Sequence, residues 1–173
     1  MRLEQSNEPM MPHYTAPWRA IALSAVLVAA FFSAAPARAD DAETIAACLQ
    51  AERDAGRDQH SCIGSISDPC LNEPAGQSTV GMVDCTEKET KIWDTMLNEE
   101  YGRLMSLLQG KAAEAVRKAE RLWIEARDAD CLVPYAIYEG GTIAQPTAAS
   151  CRLDHTADRA LQVRTWREMA QPE

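Results

Sequence analysis

From residue 80 to 109 the apolar side chains return at every third or fourth position: Trp93, Leu97, Tyr101, Leu104 and Leu108, with Met96 and Met105 widening the stripe. That period is helical. It predicts a first long helix over 80–109, stopped by Gly110. Thr86 with Glu89 offers a later start as a capping box. From Lys111, a second stripe runs through Val116, Ala119, Trp123, Ala126 and Asp130, and Pro134 bends or ends it. Almost no chain separates the two helices, which predicts an antiparallel hairpin. "EGGT" at 139–142 reads as a turn. Pro146 opens a last helix that runs to about Met169, with Cys151, Ala157, Leu161 and Arg164 inward. Upstream, 42–55 reads as a short helix closed by Gly56, and 57–68 as a second helical piece stopped at Asp68-Pro69. Residues 70–79 read as loop. No stretch alternates over a strand's length, and no internal repeat is present. The fold class is therefore all-α: an antiparallel long-helix hairpin plus a C-terminal helix, with a disulfide-stapled N-terminal helical segment.

The start of the chain follows a different pattern. Arg19 precedes an unbroken apolar and small-residue run, "AIALSAVLVAAFFSAA" at 20–35, and "ARA" follows at 37–39. A positive region, an apolar region and an A-x-A site make a signal peptide, with cleavage expected after Ala39. The run is short and Ala-rich for a membrane span, which takes about 20 predominantly apolar residues. No stable span is expected after cleavage. The leading region is long, so Met1, Met10 or Met11 could each be the start. The organisation expected is a signal peptide at 1–39, a disulfide-rich N-terminal helical segment at 40–84 and a helical domain at 85–170, with a periplasmic or secreted location.

Charge narrows the partners. The formal net charge is −9. Removing residues 1–39 takes away Arg2, Arg19 and Arg38 against Glu4 and Glu8, so the mature chain stands at −10. Nothing forms a basic stripe, which argues against nucleic acid. A basic partner is compatible with this charge.

Chemistry narrows the function. The six cysteines, Cys48, Cys62, Cys70, Cys85, Cys131 and Cys151, all follow the expected cleavage site. An even count in an exported chain reads as a disulfide framework. Six cysteines allow 15 connectivities and spacing does not choose among them; pairing of neighbours, 48–62, 70–85 and 131–151, is the working expectation. No C-x₂₋₄-C supports a zinc site, no C-x-x-C a thiol oxidoreductase, and "GG" at 140–141 lacks phosphate-loop spacing. His60-Ser61 and Asp154-His155 are neighbours in sequence, which is not triad geometry. Glu99, Glu100, Glu125, Asp128 and Asp130 have solvent-facing spacing on helices. The expectation is a non-enzyme with no metal and no cofactor.

In "RLWIEARDADC", 121–131, Trp123, Arg127 and Cys131 recur every fourth position and share one helix face. An Arg facing partly inward must be paired or stacked. Trp123 offers a ring face, and Asp94 and Asn98 on the facing helix offer acceptors. Cys131 finds a candidate partner in Cys151 across the Gly-Gly turn. The three residues read as architectural; the functional alternative has Arg127 and Asp128 reach a surface groove and grip a partner.

"WDTMLNEEYGRLMSLL", from Trp93, then "AERLWIEARDADC", a Gly-Gly turn and "SCRLDHTADRALQV", with Cys85 upstream, together resemble the lysozyme-inhibitor LprI-like N-terminal domain family. The matching residues are Cys85, Asp94, Leu97, Asn98, Tyr101, Trp123, Arg127, Asp128, Cys131, Gly141, Cys151, Thr156 and Arg159, over about 85–165. The sequence departs from the family's simple pattern in two places: "AERLW" stands for "AQRAW", and Cys48, Cys62 and Cys70 exceed the one upstream cysteine of simpler members. The resemblance implies a small, exported, helical, disulfide-bonded protein whose partner is lysozyme, a generally basic enzyme with an acidic cleft. It implies structural roles for the motif residues. The 71–79 loop and the 139–147 turn, both polar and flanked by cysteines, are the candidate blocking segments. The alternative is a structural or interaction module of the bacterial envelope without lysozyme activity. Oligomeric state is not legible.

Overall fold

The computed structural model describes residues 41–171; the expected signal peptide at 1–39 lies outside them. Helix α1, Asp41–Asp54, carries Asp41 and Glu43 in its first turn and Arg53 in its last, which complements the helix dipole. Ile45 and Leu49, one turn apart, are its buried face. A 3₁₀ turn follows at Gln59–Cys62, capped by the Asp58 carboxylate, which accepts the His60 N–H. Then come α2, Ser67–Leu71, a second 3₁₀ turn at Pro74–Gln77, α3, Thr79–Leu107, α4, Gly110–Asp130, α5, Val133–Ile137, and α6, Ala144–Met169. No strand occurs among the described residues, and no described helix is long and apolar enough to cross a membrane.

The true cap of α3 is Ser78, whose Oγ accepts the Gly81 N–H at 3.0 Å. Thr86 lies inside the helix and spends its hydroxyl on the Met82 carbonyl (2.8 Å). The 71–79 segment is fixed, not free. Its 3₁₀ turn packs so tightly on α3 that a Cβ at Gly81 would fall 1.9 Å from the Ala75 carbonyl oxygen.

Glu87 of α3 pairs with Arg152 of α6, and Glu100 with Arg164 and Arg167, so these two helices run parallel. Helix α4 runs against both: Glu120 meets Arg159, and Asp130 meets His155. The chain thus reverses between α3 and α4 as the short connection requires. The main packing partner of α3 is nevertheless α6, not α4. The reason lies in side-chain size. Helix α6 buries Ala148, Ala157 and Ala160, which lets two backbones approach closely, since interaxial distance follows the contact side chains. Helix α4 fully buries only Ala113. The core collects Ile45, Leu49, Ile66, Trp93, Leu97, Leu104, Leu153, Leu161 and Val163. Val116, Trp123 and Trp166 pack on its outer side.

Three disulfides pair consecutive cysteines: Cys48 with Cys62, Cys70 with Cys85, and Cys131 with Cys151.

Candidate functional site

Helix α4 is tied to the bundle by stacked charge as well as by the packing of Ala113, Val116 and Trp123. The Arg127 guanidinium lies 4.9 Å from the Trp123 ring centre. Arg159, from α6, lies 5.7 Å from the same ring and 4.6 Å from that of Trp166. A planar guanidinium can stack by its face and still donate from its edge. Arg159 does both. Its Nε donates to Glu120 Oε1 (3.0 Å) and its Nη1 to Gln162 Oε1 (2.5 Å), while Nη2 lies 2.9 Å from the same Glu120 oxygen. The result is a ladder, Arg127–Trp123–Arg159–Trp166, with the Cys131–Cys151 bond beyond its Arg127 end.

Arg127 does not reach Asp94 or Asn98 as its acceptors. It pairs with its neighbour Asp128, through Nε at 3.0 Å and Nη2 at 2.8 Å. Asn98 turns back instead to the Asp94 carboxylate (3.1 Å). Stacking on Trp123 pins the Arg127 side chain near its own helix, where the adjacent carboxylate meets it first.

Two clefts flank the ladder. One, of about 430 Å³, lies between α3, α4 and α6, and gathers Asp94, Arg127 and Thr156 with Glu87, Lys91 and Arg152. The other, of about 850 Å³, lies between the 59–62 turn, α6 and the edge of Trp123. Its charges are spent on one another. His60 meets Asp58 at 2.6 Å and Asp158 at 3.5 Å, Arg53 meets Glu168, and Arg57 meets Glu52. The His60 backbone N–H, then its ring, hold the Asp58 carboxyl below its usual range. Nearby, burial and then the Asp158 charge raise the Asp154 carboxyl. Ser61 Oγ donates to the Asp58 carbonyl, so it is not aligned on His60. Cys131, Cys151 and His155 come within ligand distance of one another, but both sulfurs are committed to the disulfide.

The remaining motif residues disperse. Trp93 and Leu97 face the core, and Tyr101 packs at its edge. Asn98 is exposed. Gly141 closes the turn after α5 with its N–H on the Tyr138 carbonyl (2.7 Å). The motif therefore describes a scaffold plus one groove.

The family described as Lysozyme inhibitor LprI matches residues 70–163. This chain belongs to the LprI family. It is also 24% identical over 115 residues to "Uncharacterized protein R02472" of Rhizobium meliloti (strain 1021), across 57% of this chain and 83% of the relative. No solved structure matches.

The LprI match begins at Cys70 and ends at Val163. It takes in the last two disulfides and the ladder as far as Arg159, and leaves α1 and the Cys48–Cys62 bond outside. The buried link between this extra segment and the LprI region is Glu89, which in the sequence reads as the capping-box partner of Thr86 and is instead a mid-helix residue of α3. It is fully buried. Its Oε1 accepts from Gly64 N (2.8 Å) and Trp93 Nε1 (2.9 Å), and its Oε2 from Ile66 N (3.0 Å) and Ser67 N (2.7 Å). Gly64 adopts φ +97°, and a Cβ there would fall 2.7 Å from the Asp68 carboxylate; glycine lets the backbone turn its N–H onto Glu89. Glu100 corrects the solvent-facing expectation in the same way. It is buried, with its carboxylate 2.5 Å from Arg167, 3.4 Å from Arg164 and 3.4 Å from Arg103. The one signal for both was position: each lies on the apolar side of α3, close to Trp93 or Leu104.

Of the expected blocking segments, 139–147 is shorter than the sequence suggested, because residues from Ala144 onward already form α6. The turn between α5 and α6 is 138–143, with Glu139 and Gly140 both at positive φ. The residues leading into it are apolar and exposed, not polar.

Proposed function

We propose that this chain is an exported lysozyme-binding protein that inhibits the enzyme by covering it, with a mature form starting at Asp40. Membership of the LprI family over 70–163 carries the reading. Three disulfides and the family fit an extracytoplasmic protein, and the acidic charge would steer it toward a basic enzyme. The chain acts by surface complementarity, not turnover. Its cysteines are all in disulfides, and the histidines of the described residues lean on aspartates without a nucleophile in line. The test is residual muramidase activity of c-type, g-type and i-type lysozymes against rising concentrations of oxidised 40–173, at low and moderate salt. Saturable inhibition of one type, weakening with salt, is expected. A folded, fully oxidised protein that inhibits none would overturn the proposal and leave the envelope-module alternative.

A further inference from the structure

Eleven large hydrophobic side chains are exposed among the described residues, and six of them fall within twelve positions: Leu132, Val133, Tyr135, Ile137, Tyr138 and Ile143. Leu132 and Ile137 are 63% and 66% exposed. The other five are scattered over α3, α4 and the end of α6. Single exposed apolar residues are ordinary, whereas a concentration of them marks an interaction surface.

This segment is also held in place. The Cys131–Cys151 bond closes it. Pro134, Ala144 and Pro146 are buried beneath it, and α5 packs on α6. Its apolar side chains are therefore presented by a fixed backbone, so little ordering entropy is lost on binding. Two of the six are tyrosines, a residue type enriched where interfaces are energetically dense. Between Asp128 and Cys151 the formal charges are Asp128, Asp130 and Glu139, with no Lys or Arg, and all three are exposed. Asp128 pairs with Arg127 and Asp130 meets His155 at the segment's edge, so Glu139, in the middle of the segment, is the acid it presents.

We propose that the 132–143 segment is the surface through which this chain grips lysozyme, its apolar side chains seated on the enzyme and Glu139 facing the enzyme's basic surface. The assignment rests on the inhibitor reading above. An exposed acid disfavours an anionic bilayer as the occupant, and like charge disfavours a second copy of the same patch.

The experiment compares oxidised wild type, I137S/Y138S, Y135S/I143S and, as a control on α3, V80S, each checked for unchanged melting temperature and complete oxidation. Inhibition of lysozyme is titrated, with sedimentation of the inhibitor alone and flotation with vesicles of phosphatidylglycerol. Either double variant that folds should weaken inhibition at least about tenfold, while V80S stays within about twofold. If wild type inhibits and both folded double variants inhibit equally well, the surface is wrong and the inhibitor reading stands. If wild type inhibits no lysozyme, the reading and this surface fall together. A wild-type dimer converted to monomer by the double variants, or vesicle binding they abolish, would overturn the assignment in favour of those occupants.

Discussion

Replacing Glu89 by Gln changes one atom and should remove a large part of the stability. Each carboxylate oxygen of Glu89 accepts two hydrogen bonds, all from neutral donors: Gly64 N and Trp93 Nε1 on one, Ile66 N and Ser67 N on the other. A glutamine keeps one such oxygen and turns an NH₂ toward the other pair of donors. Two charge-assisted bonds are lost and two buried N–H groups face a donor. At about 1.5–3 kcal/mol for each charge-assisted bond, the gross loss is about 3–6 kcal/mol. Relief of a buried carboxylate's desolvation offsets part of this, leaving about 3 kcal/mol. That is a large share of a typical total of about 5–15 kcal/mol. For a chain of this size it corresponds to a drop of about 10 °C in melting temperature. Urea unfolding of oxidised wild type and E89Q reads the difference directly, and an unchanged slope would confirm that the same surface is exposed. Hydrogen exchange should place the local effect at residues 64–67. A Gln variant within about 0.5 kcal/mol of wild type, or exchange unchanged at Gly64, Ile66 and Ser67, would refute the idea that Glu89 fastens this segment.

Two further outcomes are expected. In G81A the new Cβ meets the Ala75 carbonyl, a backbone atom that cannot swing aside, so the first turn of α3 must part from the 3₁₀ turn at a cost of about 2–3 kcal/mol; urea unfolding equal to wild type would contradict this. Asp154 has a carboxyl raised above its ordinary 3.8 by burial and then by Asp158, so the folded state holds that proton longer than the unfolded state does. Its contribution to stability therefore falls as pH rises from the ordinary carboxylate range through the raised value. D154N should melt higher than wild type at neutral pH, with the gap closing toward about pH 3, where both side chains are neutral. A gap of the same size at both ends of the scan would show that the effect is not ionisation.

The long helices were legible because their apolar period is written locally: the expected 80–109 became Thr79–Leu107. The partner of α3 was not legible in the same way. A 3.6-residue period shows that a helix has a buried face, not which helix covers it, and the cue lay in the spaced alanines of α6, which read as unremarkable helix formers. Arg127 stacks on Trp123 one turn away, as their spacing alone predicts. The acceptor of Arg127 was misassigned because a facing helix was assumed where the next residue sufficed. Glu89 reads as a capping-box residue and Glu100 as an exposed acid because the donors that bury them are not written beside them: beyond Trp93 and Arg103 on their own helix, they come from 22–25 residues upstream and 67 residues downstream. The patch at 132–143 was overlooked because its apolar residues belong to neither period and sit beside a glycine turn.

The three disulfides join the first cysteine to the second, the third to the fourth and the fifth to the sixth. No bridge encloses or crosses another. A chain that meets an oxidant N-terminus first therefore completes each native bridge with the next thiol to emerge, before the following pair arrives. Every prefix ending after an even cysteine is already correctly joined, and no mispaired bond has to be broken for the next to form. On that route the framework matures with an oxidase alone, and a shuffling catalyst has nothing to correct.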